Sequence, residues 1–138
     1  MDIALIASDK RKELMAQFCI AYGSILADHT LCGTAITAKY VSRITGLKIE
    51  ELLSGGLGGI QQISSRIMYD EIDMVILLRD ADNDREYATS EYKLIKLCDR
   101  KNIPVATNIA TAELLIMALM RGDFDWRDNI NPKRNRAQ

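Results

Sequence analysis

Histidine is nearly absent from this sequence and cysteine is scarce, since its 138 residues hold one histidine, His29, and three cysteines. Cys19, Cys32 and Cys98 are widely spaced, odd in number and flanked by apolar residues, so we expect reduced core thiols rather than a disulfide framework. The lack of a histidine and cysteine cluster argues against a zinc site and a Ser-His-Asp triad. We therefore expect no metal or cofactor, and we interpret His29 as a structural imidazole.

A basic excess and a long apolar run are also missing. Lys and Arg number 18 against 19 Asp and Glu, a formal net charge of -1, whereas dedicated nucleic-acid and membrane-surface binders normally carry a basic excess. No apolar run approaches the roughly 20 residues of a membrane span. The N-terminus leads directly into strand-like sequence without the basic segment of a signal peptide. We expect a cytoplasmic protein that binds neither membrane nor nucleic acid.

Strand and helix patterns alternate along the chain, which is 48% hydrophobic and can bury a core. Short apolar runs predict strands at 3–7, 30–32, 47–53, 74–78 and 103–106. Helical spacing and turn residues predict helices over 14–26, 37–45, 61–69 and 90–100, with Gly46 ending the second and Thr111 capping a last one. Short connections between alternating elements favour an α/β fold: a three-layer α/β/α sandwich with a central, mainly parallel five-stranded sheet.

The organisation is that of one domain followed by a short tail. We assign residues 1–128 to the domain. Residues 129–138 contain Lys133, Arg134 and Arg136 and show no apolar periodicity, so they form a basic tail that we expect to be mobile.

Three loops at predicted carboxyl ends of strands carry small and polar residues, at 8–12, 33–37 and 54–59. Ligands of parallel sheets bind beyond these ends, where N–H groups at helix N-termini favour a phosphate or carboxylate. The hydroxyls of Thr34, Thr37 and Ser54 and the ammonium of Lys12 would add donors. Each loop alone is typical of an ordinary turn, but three at one edge favour an anion pocket.

An acidic loop imitates a calcium site. Asp80, Asp82, Asp84 and Glu91 have the one-three-five-twelve spacing of an EF-hand loop. Arg85, however, occupies the position where the sharp turn requires glycine, and a strand precedes the loop instead of a helix. The pattern therefore favours a solvated loop of mixed charge.

Together these segments resemble the methylglyoxal synthase family from residue 3 to about residue 119. The residues that carry the resemblance are Ile3-Ala-Leu-Ile-Ala7 with Asp9 and Lys12, Val41-Ser-Arg-Ile-Thr-Gly46, Ser54-Gly55, Gly58-Gly59, Gln61-Gln62, Ile72-Asp73, Asp80, Asn102-Ile-Pro-Val-Ala-Thr-Asn108 and Ala110-Thr111-Ala112. The resemblance implies an α/β fold, a homohexamer, and a lyase that converts dihydroxyacetone phosphate into methylglyoxal and phosphate.

The positions that carry chemistry in the family differ in this chain. The family's aspartate, which removes a proton next to the carbonyl, falls on Ile60. Its histidine after the first strand falls on Ser8, and its histidine after the fourth strand falls on Tyr87, with a supporting aspartate on Ser90. Losing a general base removes about 10²–10⁴ in rate, and losing a polarising group removes a comparable factor.

Two further segments of the family pattern have changed. The phosphate loop, usually Thr-Gly-Thr-Thr-Gly, reads Thr34-Ala35-Ile36-Thr37-Ala38, so two glycines have gained a Cβ. The family's C-terminal segment, which reaches a neighbouring subunit's phosphate, is not matched by residues 124–128.

These changes lead to one main hypothesis and two alternatives. The main one is a catalytically silent protein that binds a small phosphorylated metabolite or a nucleotide, as a sensor or by sequestering it. The predicted ligand-binding residues are Ser8, Asp9, Lys12, Thr34, Ala35, Ile36, Thr37, Ser54, Gly55, Ile60, Asp80 and Tyr87. The first alternative is an active lyase, a carbon–oxygen lyase of the methylglyoxal synthase type, that uses Asp9 or Asp80 as its base. The second is a structural protein whose function is its interface.

Overall fold

Five short strands, all parallel, form one sheet in the computed structural model, which describes residues 1–82 and 87–130, the side chains of Tyr87, Ala88 and Asp128 excepted. The strands are β1 (Asp2–Ala7), β2 (Thr30–Gly33), β3 (Ile49–Glu51), β4 (Met74–Leu78) and β5 (Val105–Ala106). Their spatial order is β3-β2-β1-β4-β5. Because the chain moves outward from β1 to β3 and then returns to place β4 on the other side of β1, the order reverses between β1 and β4, where ligand crevices form in such sheets.

Helices cover both faces of this sheet. They are α1 (Lys12–Ala21), α2 (Gly23–Leu26), α3 (Ala35–Thr45), α4 (Gly59–Met68), α5 (Tyr87–Lys101), α6 (Ile109–Met120) and α7 (Trp126–Ile130), with 3-10 turns at Asp9–Arg11 and Gly55–Leu57. Alternate residues of β1 point to opposite faces, so Ile3 and Leu5 pack with α1, α3 and α6, whereas Ala4 and Ile6 pack with α4 and α5. The predicted three-layer α/β/α sandwich is confirmed, and the sheet is wholly rather than mainly parallel.

Several predicted boundaries shift for local reasons. The helix predicted over 14–26 is two helices that meet at Tyr22, and the strand predicted over 47–53 is the three-residue edge strand β3. The strand predicted over 103–106 is only Val105–Ala106. Pro104 lies just before it and has no N–H to donate, although its carbonyl accepts the N–H of Val75 at 3.0 Å.

The predicted helix terminators have different outcomes. Gly46 ends α3 with φ +75°, and its N–H donates to the carbonyl of Ser42 at 2.9 Å, which confirms the prediction. The cap assigned to Thr111 was wrong, because Asn108 caps α6: its Oδ1 accepts the N–H of Thr111 at 3.1 Å.

The three cysteines are free thiols buried in the two cores, as predicted. Burial raises the pKa of Cys19 to about 12 and the pKa of Cys32 and of Cys98 to about 11. At neutral pH these groups therefore remain protonated and behave as small apolar side chains.

The first residue of the chain lies at the amino edge of the sheet, opposite the carboxyl edge. His29 precedes β2, and its Nδ1 accepts a hydrogen bond from the N-terminal amine at 2.9 Å. The predicted domain boundary at residue 128 falls inside α7, which continues to Ile130. Residues 131–138 of the predicted tail lie outside the described residues. The same holds for Asp84 and Arg85 of the calcium-like pattern. No helix in the described ranges is long and apolar enough to cross a membrane.

Candidate functional site

A cavity of about 510 Å³ opens at the carboxyl edge of the sheet, where β1 and β4 lie side by side. The segments that follow β1, β2, β3 and β4 all contribute to its wall, together with the start of α5. Its lining residues are Ile6, Ala7, Ser8, Asp9, Thr34, Ile36, Ser54, Gly55, Gly56, Leu57, Ile60, Asp80 and Glu91. The position agrees with the rule that open parallel sheets bind ligands where the strand order reverses.

Most of the predicted ligand-binding residues come together in this wall. Those on it are Ser8, Asp9, Thr34, Ile36, Ser54, Gly55, Ile60 and Asp80. Lys12, Ala35 and Thr37 lie next to the cavity but do not line it, and the side chain of Tyr87 is outside the described part of the chain.

Thr37 and Ala35 stabilise the cavity wall through hydrogen bonds to neighbouring segments. Thr37 is fully buried, and its Oγ1 accepts the N–H of Ala7 at 3.0 Å and donates to the carbonyl of Ala7 at 3.3 Å. The hydroxyl of Thr34 donates to the same oxygen of Thr37 at 3.3 Å. The N–H of Ala35 donates to the carbonyl of Leu53 at 3.3 Å. These bonds tie the first turn of α3 to the end of β1 and to the segment after β3.

α3 begins between the lining residues Thr34 and Ile36, where the N–H of Ala35 is already engaged by the carbonyl of Leu53. The first N–H groups of an α-helix have no partner within the helix, and the helix dipole places partial positive charge there. Ser8 adds an uncommitted hydroxyl, because its Oγ is buried and accepts or donates no hydrogen bond within residues 1–82 and 87–130. This side of the cavity has the donors that an anion requires.

Lys12 does not line the cavity, but it forms an ion pair with a residue that does. Its Nζ is 3.1 Å from Oδ1 of Asp9, a lining residue whose carboxylate is largely exposed. The same ammonium lies 5.4 Å from the ring centroid of Tyr40, a cation–π distance. Lys12 therefore brings positive charge to the rim without forming part of the lining.

Two carboxylates lie on the β4 side of the cavity. Asp80 follows β4, where its Oδ1 accepts the N–H of Asp82 at 3.1 Å and its Oδ2 lies 3.6 Å from Nζ of Lys10. Glu91 belongs to α5, its side chain is 15% exposed, and Nε of Arg79 lies 3.9 Å from its Oε2. Burial raises the pKa of Glu91, and the positive charge of Arg79 opposes this effect only in part.

Glu91 is the site residue that sequence reasoning missed, because its place in the acidic pattern presents it only as a calcium ligand. The spacing of residues along the helix could have identified Glu91. Glu91, Leu94 and Cys98 have the i, i+3, i+7 spacing of one helix face, and Leu94 and Cys98 are fully buried. A carboxylate in line with two core residues points toward the interior rather than to solvent.

The segment between β3 and α4 shapes the cavity floor through its glycines. A Cβ on Gly59 would collide with the backbone carbonyl of Leu53, and Gly58 has φ +109°. The amide of Gln62 fixes the same segment by accepting the N–H of Leu53 at 2.7 Å. This backbone places Ile60, which is 4% exposed, in the floor.

Comparison of the sequence with known proteins identifies one family. Residues 15–107 match the family model described as the MGS-like domain. "Methylglyoxal synthase" of Caldicellulosiruptor saccharolyticus is 56% identical over 133 residues, which is 96% of this chain and 94% of that protein. The protein of the same name from Clostridioides difficile is 46% identical over 136 residues, or 99% of each chain.

A solved structure of a protein with the same name is also similar to this chain. The crystal structure of methylglyoxal synthase from Elizabethkingia anophelis NUHP1 matches with a TM-score of 0.76 at 31% sequence identity, covering 83% of this chain and 76% of that one. The likeness in fold therefore extends over most of this chain.

Proposed function

The chain belongs to the MGS-like domain family, and from that premise we propose that it is a lyase of the methylglyoxal synthase type, which converts dihydroxyacetone phosphate into methylglyoxal and phosphate. The observation that carries this proposal is the cavity, because it joins anion donors and carboxylates within about 510 Å³. Relatives named methylglyoxal synthase at 46–56% identity over nearly the whole chain support the lyase over a silent binder.

The strand order divides the cavity between two tasks. Thr34 follows β2 and Ser54 follows β3, so the donors of these segments lie toward one side of β1. Asp80 follows β4 on the other side of β1. We assign the phosphate to the first side, where N–H groups and hydroxyls favour an anion, and the carbon chain to the carboxylate side.

The reaction needs a base but no oxidant or reductant. A carboxylate removes a proton from the hydroxymethyl carbon next to the carbonyl, and the electrons of that C–H bond form the double bond of an enediolate. The enediolate then expels phosphate as its C–O bond breaks. The resulting enol takes up a proton on its methylene carbon and gives its hydroxyl proton to the departing phosphate, which yields methylglyoxal. Ile60 stands where the family resemblance expects the aspartate base, so this chain requires another carboxylate, with Asp9 and Asp80 as the sequence-predicted candidates.

The test is release of methylglyoxal from dihydroxyacetone phosphate by the purified protein. We expect turnover that saturates with substrate and is inhibited by inorganic phosphate, which competes for the donor side. A protein that binds dihydroxyacetone phosphate calorimetrically yet releases no methylglyoxal above the buffer rate would overturn the lyase proposal.

A second function, binding of a phosphorylated ligand without turnover, is favoured by one observation. Ile36 and Ile60 both line the cavity, and an apolar wall suits a ligand with an apolar or aromatic face, such as a nucleobase. A thermal-shift screen that compares nucleotides with dihydroxyacetone phosphate separates the two functions, since a sensor or sequestering protein would be stabilised more by its nucleotide.

We also propose that the protein is cytoplasmic and forms a homo-oligomer, a hexamer by family resemblance. Large exposed side chains that would suit such contacts include Ile20, Leu114, Met117, Met120 and Trp126. Light scattering coupled to size-exclusion chromatography tests the oligomer, and a monomer at micromolar concentration would contradict it.

A further inference from the structure

We propose that Glu91 is the base that removes the proton from the hydroxymethyl carbon of the substrate. This inference rests on the proposed lyase function and names a residue that supplies its chemistry in place of the carboxylate missing at Ile60. It assigns a catalytic role to a residue that the sequence presents only within the calcium-like pattern and that the family resemblance does not identify.

Burial is the first reason to choose Glu91. Its carboxylate lines the cavity, yet it lies on the helix face that carries the fully buried Leu94 and Cys98. Carboxylates on such faces are uncommon unless they are paired, because removal from water penalises their charged form. A mostly buried carboxylate facing an open cavity is therefore a costly arrangement, and such arrangements are typical of functional sites.

The free lone pairs of Glu91 are the second reason. In residues 1–82 and 87–130 its carboxylate accepts no hydrogen bond, and its nearest cation, Nε of Arg79, is 3.9 Å away, beyond hydrogen-bond distance. Arg79 is itself held by Tyr92, whose ring centroid is 4.6 Å from the guanidinium carbon and whose hydroxyl accepts from Nη2 at 2.9 Å. The guanidinium thus stays beside Glu91 without occupying its oxygens.

The two other carboxylates of the cavity are less suited to this step. Asp9 is 77% exposed, and Lys12 lies 3.1 Å from its Oδ1. Asp80 is as buried as Glu91, with 12% of its side chain exposed, but its Oδ1 already accepts the N–H of Asp82 and its Oδ2 lies 3.6 Å from Lys10. A base must present a free lone pair to the substrate carbon, and Glu91 is favoured because its carboxylate accepts no hydrogen bond within residues 1–82 and 87–130.

In the proposed step, the carboxylate of Glu91 forms an O–H bond as the C–H bond of the substrate breaks, and the carbonyl oxygen takes the negative charge of the enediolate. After phosphate leaves, the same proton is available to the methylene carbon of the enol. The carboxylate is then regenerated, so the step needs no other reactant.

The test compares Glu91→Gln with Glu13→Gln, a matched change at an exposed position of α1 away from the cavity. Glutamine keeps the size of the side chain but cannot accept the proton. We expect Glu91→Gln to lower kcat by about 10²–10⁴-fold, with the calorimetric affinity for inorganic phosphate within about threefold of wild type, and Glu13→Gln to leave both unchanged. Glu91→Asp, which keeps the carboxylate on a shorter side chain, should retain more activity than Glu91→Gln.

Two further readouts separate a catalytic role from a structural one. In wild type, kcat/KM should rise with pH through a pKa above the usual range of glutamate, since the base must be deprotonated and burial raises its pKa. Arg79 faces Glu91 at 3.9 Å, and Asp80 and Asp9 are the other carboxylates of the cavity lining. Glu91→Gln should lose this rise. Wild type should also exchange the hydroxymethyl hydrogens of dihydroxyacetone phosphate with D₂O, and Glu91→Gln should not.

The outcomes distinguish this inference from the proposed function. If wild type releases methylglyoxal and Glu91→Gln retains activity within about threefold, or keeps the same pH profile, the assignment of Glu91 is wrong while the lyase stands. If wild type neither releases methylglyoxal nor exchanges hydrogen, the lyase itself is wrong, and the assignment falls with it.

Discussion

Arg127 closes over the carboxylate of Asp73 at the amino edge of the sheet, with Nε 3.7 Å from Oδ1. Asp73 is fully buried, and its Oδ2 accepts the N–H of Asp2 at 2.8 Å. Arg127 also donates from Nη1 to the carbonyl of Asn102 at 2.7 Å. The pair therefore joins α7 to the starts of β1 and β4, at the end of the sheet opposite the cavity.

Loss of the arginine should destabilise the protein strongly. Arg127→Met removes the guanidinium that pairs with the buried carboxylate of Asp73, and breaking a buried ion pair by removing one partner typically costs about 3–5 kcal/mol. The measurement is the free energy of unfolding in urea. Arg121→Met is the control, since Arg121 forms an exposed ion pair with Asp123 and its loss should cost less than about 1 kcal/mol. Equal losses in the two variants would contradict the stabilising role of Asp73 and Arg127.

Two glycine-to-alanine changes should have opposite effects. Gly59→Ala drives a Cβ into the backbone carbonyl of Leu53, so the segment before α4 must shift and stability should fall by about 1–3 kcal/mol. Gly23 begins α2, and the position that a Cβ would take there has no neighbouring atom within 4 Å, so Gly23→Ala should raise stability by up to about 1 kcal/mol. Thermal unfolding of both variants tests this, and an unchanged Tm for Gly59→Ala would show that the loop adapts freely.

Lys12 should strengthen anion binding from the rim of the cavity. A charge-assisted hydrogen bond to a phosphate contributes about 1.5–3 kcal/mol, so Lys12→Ala should weaken the calorimetric affinity for inorganic phosphate by about ten- to a hundredfold. Lys39→Ala is the control, because Lys39 is exposed and pairs with Glu51 away from the cavity wall. The same affinity in both variants would place the anion elsewhere.

The cap of α6 gives a prediction that separates Asn108 from Thr111. Asn108→Ala removes the side-chain acceptor for the N–H of Thr111 and should lower the free energy of unfolding by about 1 kcal/mol. Asn108→Asp keeps an acceptor at the same position and should retain most of the stability. A loss as large in Asn108→Asp as in Asn108→Ala would mean that the bond does not stabilise the helix.

The layer architecture and the cavity edge could be predicted from the order of apolar runs and turn residues. Met74–Leu78 is buried at every position, so it is a continuous apolar run, as expected for a strand covered on both faces. Short connections between alternating strands and helices then require a parallel sheet. For the same reason Ser8, Thr34, Ser54 and Asp80, which each follow a strand, are expected at one edge, and they line one cavity.

The roles of individual side chains could not be predicted in the same way. Thr37 has the hydroxyl of a ligand donor, but that hydroxyl is engaged by the backbone of Ala7, thirty residues away in the chain. Lys12 has the positive charge expected of a residue that binds an anion in the cavity, but its ammonium pairs with Asp9. Both outcomes depend on contacts between side chains that local patterns do not encode.

The sequence by itself determined the α/β class and the edge at which polar segments gather, because hydrophobic periodicity and turn chemistry act over a few residues. Its matched motifs, separately, carried the resemblance to one family. Only the tertiary structure decided which mostly buried carboxylate of the cavity accepts no hydrogen bond from the described residues. That distinction depends on the packing of α5 against the sheet, which removes Glu91 from water while Asp9 stays exposed to it. Desolvation is set by everything that surrounds a group, and it is therefore a property of the folded chain.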